Sequence, residues 1–186
     1  MTTSDLTEKQ ISSETLVKGR LLTVNSDQVR LANGHMAQRE YVLHAGAVII
    51  VPLLANGNVI LERQFRYPLR QVFIELPAGK IDENEEVLHA GQRELLEETG
   101  YGASEWLRLG QTHPCIGYSN EVIHIYLARG LTAGAHQRDV DESLEVFDLP
   151  FAQCLNMIVQ GEVTDGKTVA AMFLAEKFLL AEAVNG

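Results

Sequence analysis

The segment Gly79–Tyr101 reads GKIDENEEVLHAGQRELLEETGY, and its second half gathers acids on one side of a helix. The apolar spacing predicts a helix from Glu85 to Thr99, stopped by Gly100. Glu94, Glu97 and Glu98 stand at i, i+3 and i+4, so their three carboxylates share one face. Like charges at that spacing cost a bare helix roughly a few tenths of a kcal/mol per pair. Solvated acids usually alternate with Lys or Arg, yet here only Arg93 is adjacent, on a neighbouring face. A hard divalent cation turns the repulsion into attraction. Mg²⁺ takes carboxylate oxygens and keeps positions for water and substrate phosphates. The plainer reading is an acidic surface helix after a glycine turn.

The loop before the helix fits a metal. Gly79 follows Pro77-Ala78 and permits a tight backbone path, which can turn a main-chain carbonyl such as that of Ala78 towards a cation. Glu85 opens the helix, where a carboxylate suits the positive end of the dipole. Arg93 is placed to pair with Glu85 or another acid and to fix the loop against the helix.

Around this segment, strands and helices mix without regular alternation, which predicts a mixed sheet rather than a doubly wound one. Met1–Glu14 reads as a frayed start or a short helix. Leu16–Val24 and Gln28–Leu31 read as strands with a turn at Asn25-Ser26-Asp27 between them. Asn33-Gly34 marks a second turn, before a strand near Arg39–His44. This region has little core of its own and must pack on the main domain or on another subunit. The expected division is 1–44, a small antiparallel extension, and 45–186, the main domain. Ala47–Leu54 is an apolar run suited to a buried strand, turned at Asn56-Gly57 into a hairpin with Val59–Phe65. Further strands are expected at Val72–Leu76, Trp106–Thr112, Val122–Ala128 and Leu144–Leu149. Phe151–Val159 and Lys167–Ala183 read as helices, the second capped by Asp165.

The formal net charge of −10 argues against bulk nucleic-acid binding but not against a small anionic substrate bridged by metal. No apolar run reaches the ~18 residues of a membrane span. Met1–Gln10 has no apolar signal core, so the expected compartment is the cytoplasm. Cys115 and Cys154 read as reduced, partly buried thiols without the partners of a zinc site.

Gly79, five residues, Glu85, seven residues, Arg93-Glu94-Leu95, one residue, Glu97-Glu98, one residue and Gly100-Tyr101 match the Nudix box at every specified position. Average residue usage gives such a match a chance on the order of 10⁻⁹ per starting position. The resemblance implies an α/β/α sandwich with a mixed sheet, an α/β (α+β) fold, preceded here by the small N-terminal antiparallel sheet. It implies Mg²⁺-dependent pyrophosphate hydrolysis, with Mn²⁺ as a substitute. The implied metal ligands are Glu94 and Glu98, assisted by Glu97 and the Ala78 carbonyl.

The resemblance extends to the ADP-ribose and nucleotide-sugar branch of the family through Arg39-Glu40-Tyr41-Val42, His44–Val48, Arg63–Tyr67, Glu75–Gly79 and Ser119-Asn120-Glu121. Pro114 sits where that branch carries a proline, in a slightly longer loop with Gly117 displaced. Arg66 has the planar fork to meet a terminal phosphate or ribose. Tyr67 either stacks on a base or belongs to the core, and core is the reading for Phe65. His44 occupies a position that similar members use for substrate contact, or is a structural donor. Glu121 either reaches the substrate or caps a loop. Similar enzymes carry two acids in the loop here spanned by Arg138–Ser143, one as base and one helping to bind metal. Val140 occupies one of those positions, which leaves Glu142 as the match, with Asp141 or Asp139 as stand-ins.

The expected reaction is hydrolysis of ADP-ribose to AMP and ribose 5-phosphate. The rivals are a GDP-mannose or ADP-glucose pyrophosphatase, a nucleoside-triphosphate-cleaning enzyme, and a non-catalytic module that binds a nucleotide sugar. Intact box carboxylates count against the binding module. The N-terminal extension counts against the triphosphate enzyme. In similar enzymes that extension exchanges between two subunits, so a symmetric homodimer is expected.

Overall fold

The computed structural model describes residues 5–134 and 143–185. The chain divides into two units, Met1–Ala45 with Cys115–Glu121, and Gly46–Pro114 with Val122–Gly186.

In the first unit β1 (Lys9–Lys18), β2 (Thr23–Arg30) and β3 (Met36–Leu43) form an antiparallel sheet in the order β1-β2-β3. Residues 9–14 are therefore extended strand, not frayed or helical, and residues 1–4 lie outside the described residues. Its first turn lies where the Gly19 N–H donates to the Leu22 carbonyl at 2.8 Å. Asn25-Ser26-Asp27 is not a turn but the middle of the central strand, paired on both sides. Each of the three side chains finds a partner on a neighbouring strand. The buried Asp27 carboxylate accepts from Gln10 Nε2 at 2.8 Å and from the Tyr41 hydroxyl at 3.1 Å. The Asn33-Gly34 turn forms as expected, with Gly34 at φ 87°. The Cys115–Glu121 loop joins this unit through the Val42 N–H, which donates to the Tyr118 carbonyl at 2.8 Å.

The second unit holds two sheets. β4 (Ala47–Pro52), β7 (Ala78–Lys80), β8 (Tyr101–Thr112) and β9 (Ile123–Ala133) run in the order β7-β4-β9-β8. β4 and β9 are parallel and the other pairs antiparallel, so the sheet is mixed. β10 (Leu144–Pro150), β5 (Asn58–Arg66) and β6 (Gln71–Glu75) form an antiparallel sheet in the order β10-β5-β6. The Asn56-Gly57 turn is present, but β4 and β5 part into different sheets and share only the Leu53–Val59 bridge.

Strand alternation gives the mixed sheet two apolar faces. Val48, Ile50, Tyr126 and Ala128 pack with Ala90 and Leu95 from the box helix. Ile49, Val51, Ile125 and Leu127 face Val59 and Leu61 of β5, together with α2 (Phe151–Gln160) and α3 (Gly166–Asn185). Each fully buried Ile or Leu of this kind contributes about 1.5–3 kcal/mol of transfer free energy. Phe65, expected in the core, is 52% exposed, because it pairs with the equally exposed Val72 at the far end of the β5–β6 hairpin. Both cysteines are free. Among the described residues no helix is long and apolar enough to cross a membrane.

Candidate active site

β7 forms one edge of the mixed sheet, with Gly79 opposite Val48 of β4. The box helix, α1 (Val87–Glu94), packs on the same sheet and beside β7. It starts later than its acids suggest. Glu86 is the cap, and its Oε2 accepts from the N–H groups of Leu88 at 3.1 Å and His89 at 3.2 Å. Glu85 stays in the loop, where its Oε2 accepts from the Asp82 N–H at 3.0 Å.

Arg93 ties these pieces together. Its Nε and Nη2 donate to the two oxygens of Glu85 at 2.9 and 3.0 Å, and Nη2 also reaches the Lys80 carbonyl at 3.0 Å. Nη1 donates to Glu94 at 2.7 Å and Glu97 at 3.0 Å. Arg93 therefore reaches across from the neighbouring face that the helical spacing gave it. Its fork holds the Glu85 carboxyl down to about 2, helped by the Asp82 N–H. Glu85, then Glu94 and Glu97, in turn raise the Arg93 pKa further above its ordinary value.

Beyond Glu94 the helix widens into a π-helical turn over Leu95–Thr99. Such turns recur at functional sites because they re-aim side chains within a helix. Gly100 ends it in the left-handed conformation at φ 76°, donating its N–H to the Leu96 carbonyl at 2.9 Å. Here Glu98 is buried, only 4% exposed, and its Oε2 accepts from the Ala78 N–H at 2.9 Å. The side chain of Glu94 is 12% exposed and lies against Gly79. A Cβ on residue 79 would stand 1.9 Å from Glu94 Oε1. Gly79 is not in the left-handed region, so its role is room for a carboxylate rather than a tight turn. Glu97 keeps 37% of its side chain exposed at the rim.

Ala78, Gly79, Glu85, Arg93, Glu94, Glu97 and Glu98 thus come together around one strand and one helix. A family model described as NUDIX domain matches residues 43–172.

The chain belongs to the Nudix family.

It is a Nudix pyrophosphohydrolase, and a second family model, described as nucleoside diphosphate sugar hydrolase N-terminal domain, matches residues 8–42. The chain is 34% identical to an ADP-ribose pyrophosphatase of Bacillus subtilis (strain 168), covering 90% of this chain and 91% of that one. It is 36% identical to a methanol dehydrogenase activator of Bacillus methanolicus, over 89% of this chain and 90% of the relative. A crystal structure of an ADP compounds hydrolase superposes with a TM-score of 0.87 at 26% identity, covering 97% of this chain and 98% of that one.

Nudix enzymes are typically dependent on a divalent metal, and the donors here suit a hard one. All are oxygens: two shielded carboxylates lie against a strand whose central residue has no Cβ to obstruct them. Among the described residues no three carboxylate, imidazole or thiol groups form a ready-made cage. Mg²⁺ does not require one, since it is usually held by one or two carboxylates together with substrate phosphates and water.

Arg66 ends β5 and forks onto Glu75, with Nε–Oε1 2.6 Å and Nη2–Oε2 2.7 Å. Tyr67 is 65% exposed, with the Arg70 guanidinium 3.5 Å from its ring centroid, so it is not core. His44 and Glu121 belong to the first unit, where His44 Nδ1 lies 3.7 Å from Glu121 Oε1. The Asn120 side chain braces the His44 backbone, accepting from its N–H at 2.7 Å. Glu142, Asp141 and Asp139 lie outside the described residues. Sequence reasoning gave Lys167 no role. It bonds the buried Glu75 carboxylate within hydrogen-bonding reach and Asp165 at 2.9 Å. Its only sequence signal was its place just after the Asp165 cap.

Proposed function

We propose that this Nudix pyrophosphohydrolase hydrolyses ADP-ribose to AMP and ribose 5-phosphate with Mg²⁺, for which Mn²⁺ can substitute. The observation that carries the reading is the placement of the buried Glu98 and the shielded Glu94 against the Ala78–Gly79 backbone. Glu94, Glu98 and the Ala78 carbonyl are the groups that would hold the metal. Bound there, Mg²⁺ neutralises diphosphate charge and lowers the pKa of a coordinated water.

The protein's own residues supply the order around it. Arg93 keeps Glu94 and Glu97 from swinging into solvent and locks the loop through Glu85. Glu97 assists from the rim. The proton of the attacking water is assigned to Glu142, with Asp141 and Asp139 as stand-ins. Water adds in line at phosphorus, the bridging P–O bond breaks, and the bridging oxygen leaves with the departing phosphate. Arg66, Tyr67, His44 and Glu121 are assigned to the substrate. The likeness to a B. subtilis ADP-ribose pyrophosphatase along nearly the whole chain supports the choice of ADP-ribose. The sugar-hydrolase match over residues 8–42 favours a second reading, cleavage of a nucleotide sugar such as GDP-mannose or ADP-glucose. A non-catalytic nucleotide-sugar-binding module is the reading from another class.

We also assign 1–44 to an extension that pairs two subunits and 45–186 to the hydrolase domain. All ten residues of β1 are exposed, which supports such pairing. Light scattering should find a dimer at micromolar concentration, and a monomer would defeat the assignment.

The deciding assay is AMP release from ADP-ribose with Mg²⁺ and then with EDTA, run beside GDP-mannose and ADP-glucose. Fast, EDTA-sensitive turnover of ADP-ribose is expected. Preference for a nucleotide sugar would replace the substrate and keep the chemistry. Binding without turnover of any of the three would leave the binding module.

A further inference from the structure

Glu75 is 1% exposed and carries two cations, Arg66 on both oxygens and Lys167 on Oε2. Burying an ionised carboxylate this deeply is costly unless it is paired and hydrogen-bonded. Burial alone would raise its pKa; Arg66 and Lys167 outweigh that and hold it below its ordinary value. One guanidinium in a two-point fork already matches one carboxylate, so the second cation needs another explanation.

The explanation lies in what each cation has left over. Lys167 is anchored from behind by Asp165, which also takes the Thr168 N–H at 3.0 Å and the Thr168 hydroxyl at 2.7 Å. Lys167 is thus fixed to the first turn of α3, a rigid element. Arg66 spends Nε and Nη2 on Glu75, and among the described residues Nη1 makes no hydrogen bond. A cavity of 240 Å³ lies against Arg66, Glu75 and Lys167, and is also walled by Leu69 and Phe73. Glu62, directly across the sheet from Glu75 and also buried, adds a further negative charge felt by Arg66. Without Lys167, Arg66 would face Glu75, Glu62 and Asp165 alone, and its pull on an anion would be spent inward.

We propose that Lys167 is a positioning residue for substrate binding: by sharing Glu75, it holds the Arg66 fork in register and leaves the guanidinium's positive charge directed at the phosphate–ribose half of the substrate. The inference rests on the assignment of Arg66 to the substrate made above.

The test is steady-state kinetics of the full chain on the fastest substrate of the panel. It compares the parent with Lys167→Met, Lys167→Gln, Lys167→Arg, Arg66→Ala and the Arg66→Ala/Lys167→Met double variant, each with a thermal melt. Lys167→Met is expected to raise KM about tenfold with kcat little changed, as for loss of a charge-assisted bond. Lys167→Arg should restore most of the affinity. On the Arg66→Ala background, Lys167→Met should add nothing, because its effect runs through Arg66. An undiminished effect on that background overturns the proposal, as does a KM unmoved by Lys167→Met while Arg66→Ala raises it. If Lys167→Met and Lys167→Gln both unfold the chain, Lys167 is structural and the proposal fails. If Arg66→Ala leaves KM at the parent value, the substrate assignment of Arg66 fails first, and the role of Lys167 with it.

Discussion

The Glu94 carboxylate fills the space in which a side chain on Gly79 would have to stand, 1.9 Å from the position of its missing Cβ. A methyl there cannot coexist with the carboxylate as placed. The carboxylate is the end of a flexible chain, so it would yield before the backbone of β7 does. Gly79→Ala should therefore melt close to the parent temperature and lose about 10–100-fold in kcat, the usual scale for disturbed ligand placement. A variant of parent activity would show that Glu94 need not lie against residue 79.

Glu98→Gln separates fold from chemistry at a second position. The amide oxygen of glutamine can still accept the Ala78 N–H that Glu98 Oε2 accepts now. The negative charge is lost. The variant should fold and lose activity on the order of 10²-fold or more, with Mg²⁺ titrations shifted to higher concentration. Hydrolysis at the parent rate would remove Glu98 from the metal site.

Glu85 makes acid stability readable. Its carboxyl is lowered from 4.5 to about 2, with the Arg93 fork as the main cause. A depressed folded-state pKa contributes stability that is fully present above the unfolded value and lost as pH falls through the folded one. The window therefore runs from about pH 4.5 down to about pH 2. Melting temperature measured through that window should fall less steeply in Glu85→Gln than in the parent. Parallel curves would mean that the fork does not form in solution.

Thr168 offers a change in stability without a change in charge. It is fully buried, its hydroxyl accepts the Leu76 N–H at 2.9 Å, and it donates to Asp165 at 2.7 Å. Thr168→Val keeps the shape and orphans that N–H, which should cost about 1–3 kcal/mol in urea unfolding. A midpoint unchanged within error would mean that another group satisfies Leu76.

What could be read beforehand follows a physical divide. The acids of the box helix were legible because like charges at helical spacing contradict ordinary surface chemistry, and the mismatch survives without knowing any neighbour. Asp165 was legible as a cap because capping is local; it does accept the Thr168 N–H. Asn25-Ser26-Asp27 was misread because the side chains that bond them in the strand, Thr15 on Asn25, Gln38 on Ser26, and Gln10 and Tyr41 on Asp27, are distant in sequence. Phe65 was misread because hydrophobicity does not say where a hairpin outruns the core. Gly79 was found for the wrong reason: its backbone is ordinary, and only the packed helix shows that a missing side chain is what matters. Lys167 was overlooked because its partner Glu75 lies on a strand far away in sequence and the pair forms only in the fold.

The parallel pairing of β4 with β9 sets an order of events during synthesis. Ala47 aligns with Ile123, and the whole of β7 and the box helix lies in the chain between them. The Leu76 backbone that leads into β7 is then pinned by Thr168, later still. Contacts this remote are slow to close, and they cannot begin before their second member exists. A nascent chain stalled before residue 123 therefore carries every carboxylate of the box without the strand that backs them, and one stalled before residue 168 lacks the bolt on the loop. Fragments that end before residue 123 are accordingly expected to be inactive, however complete their box.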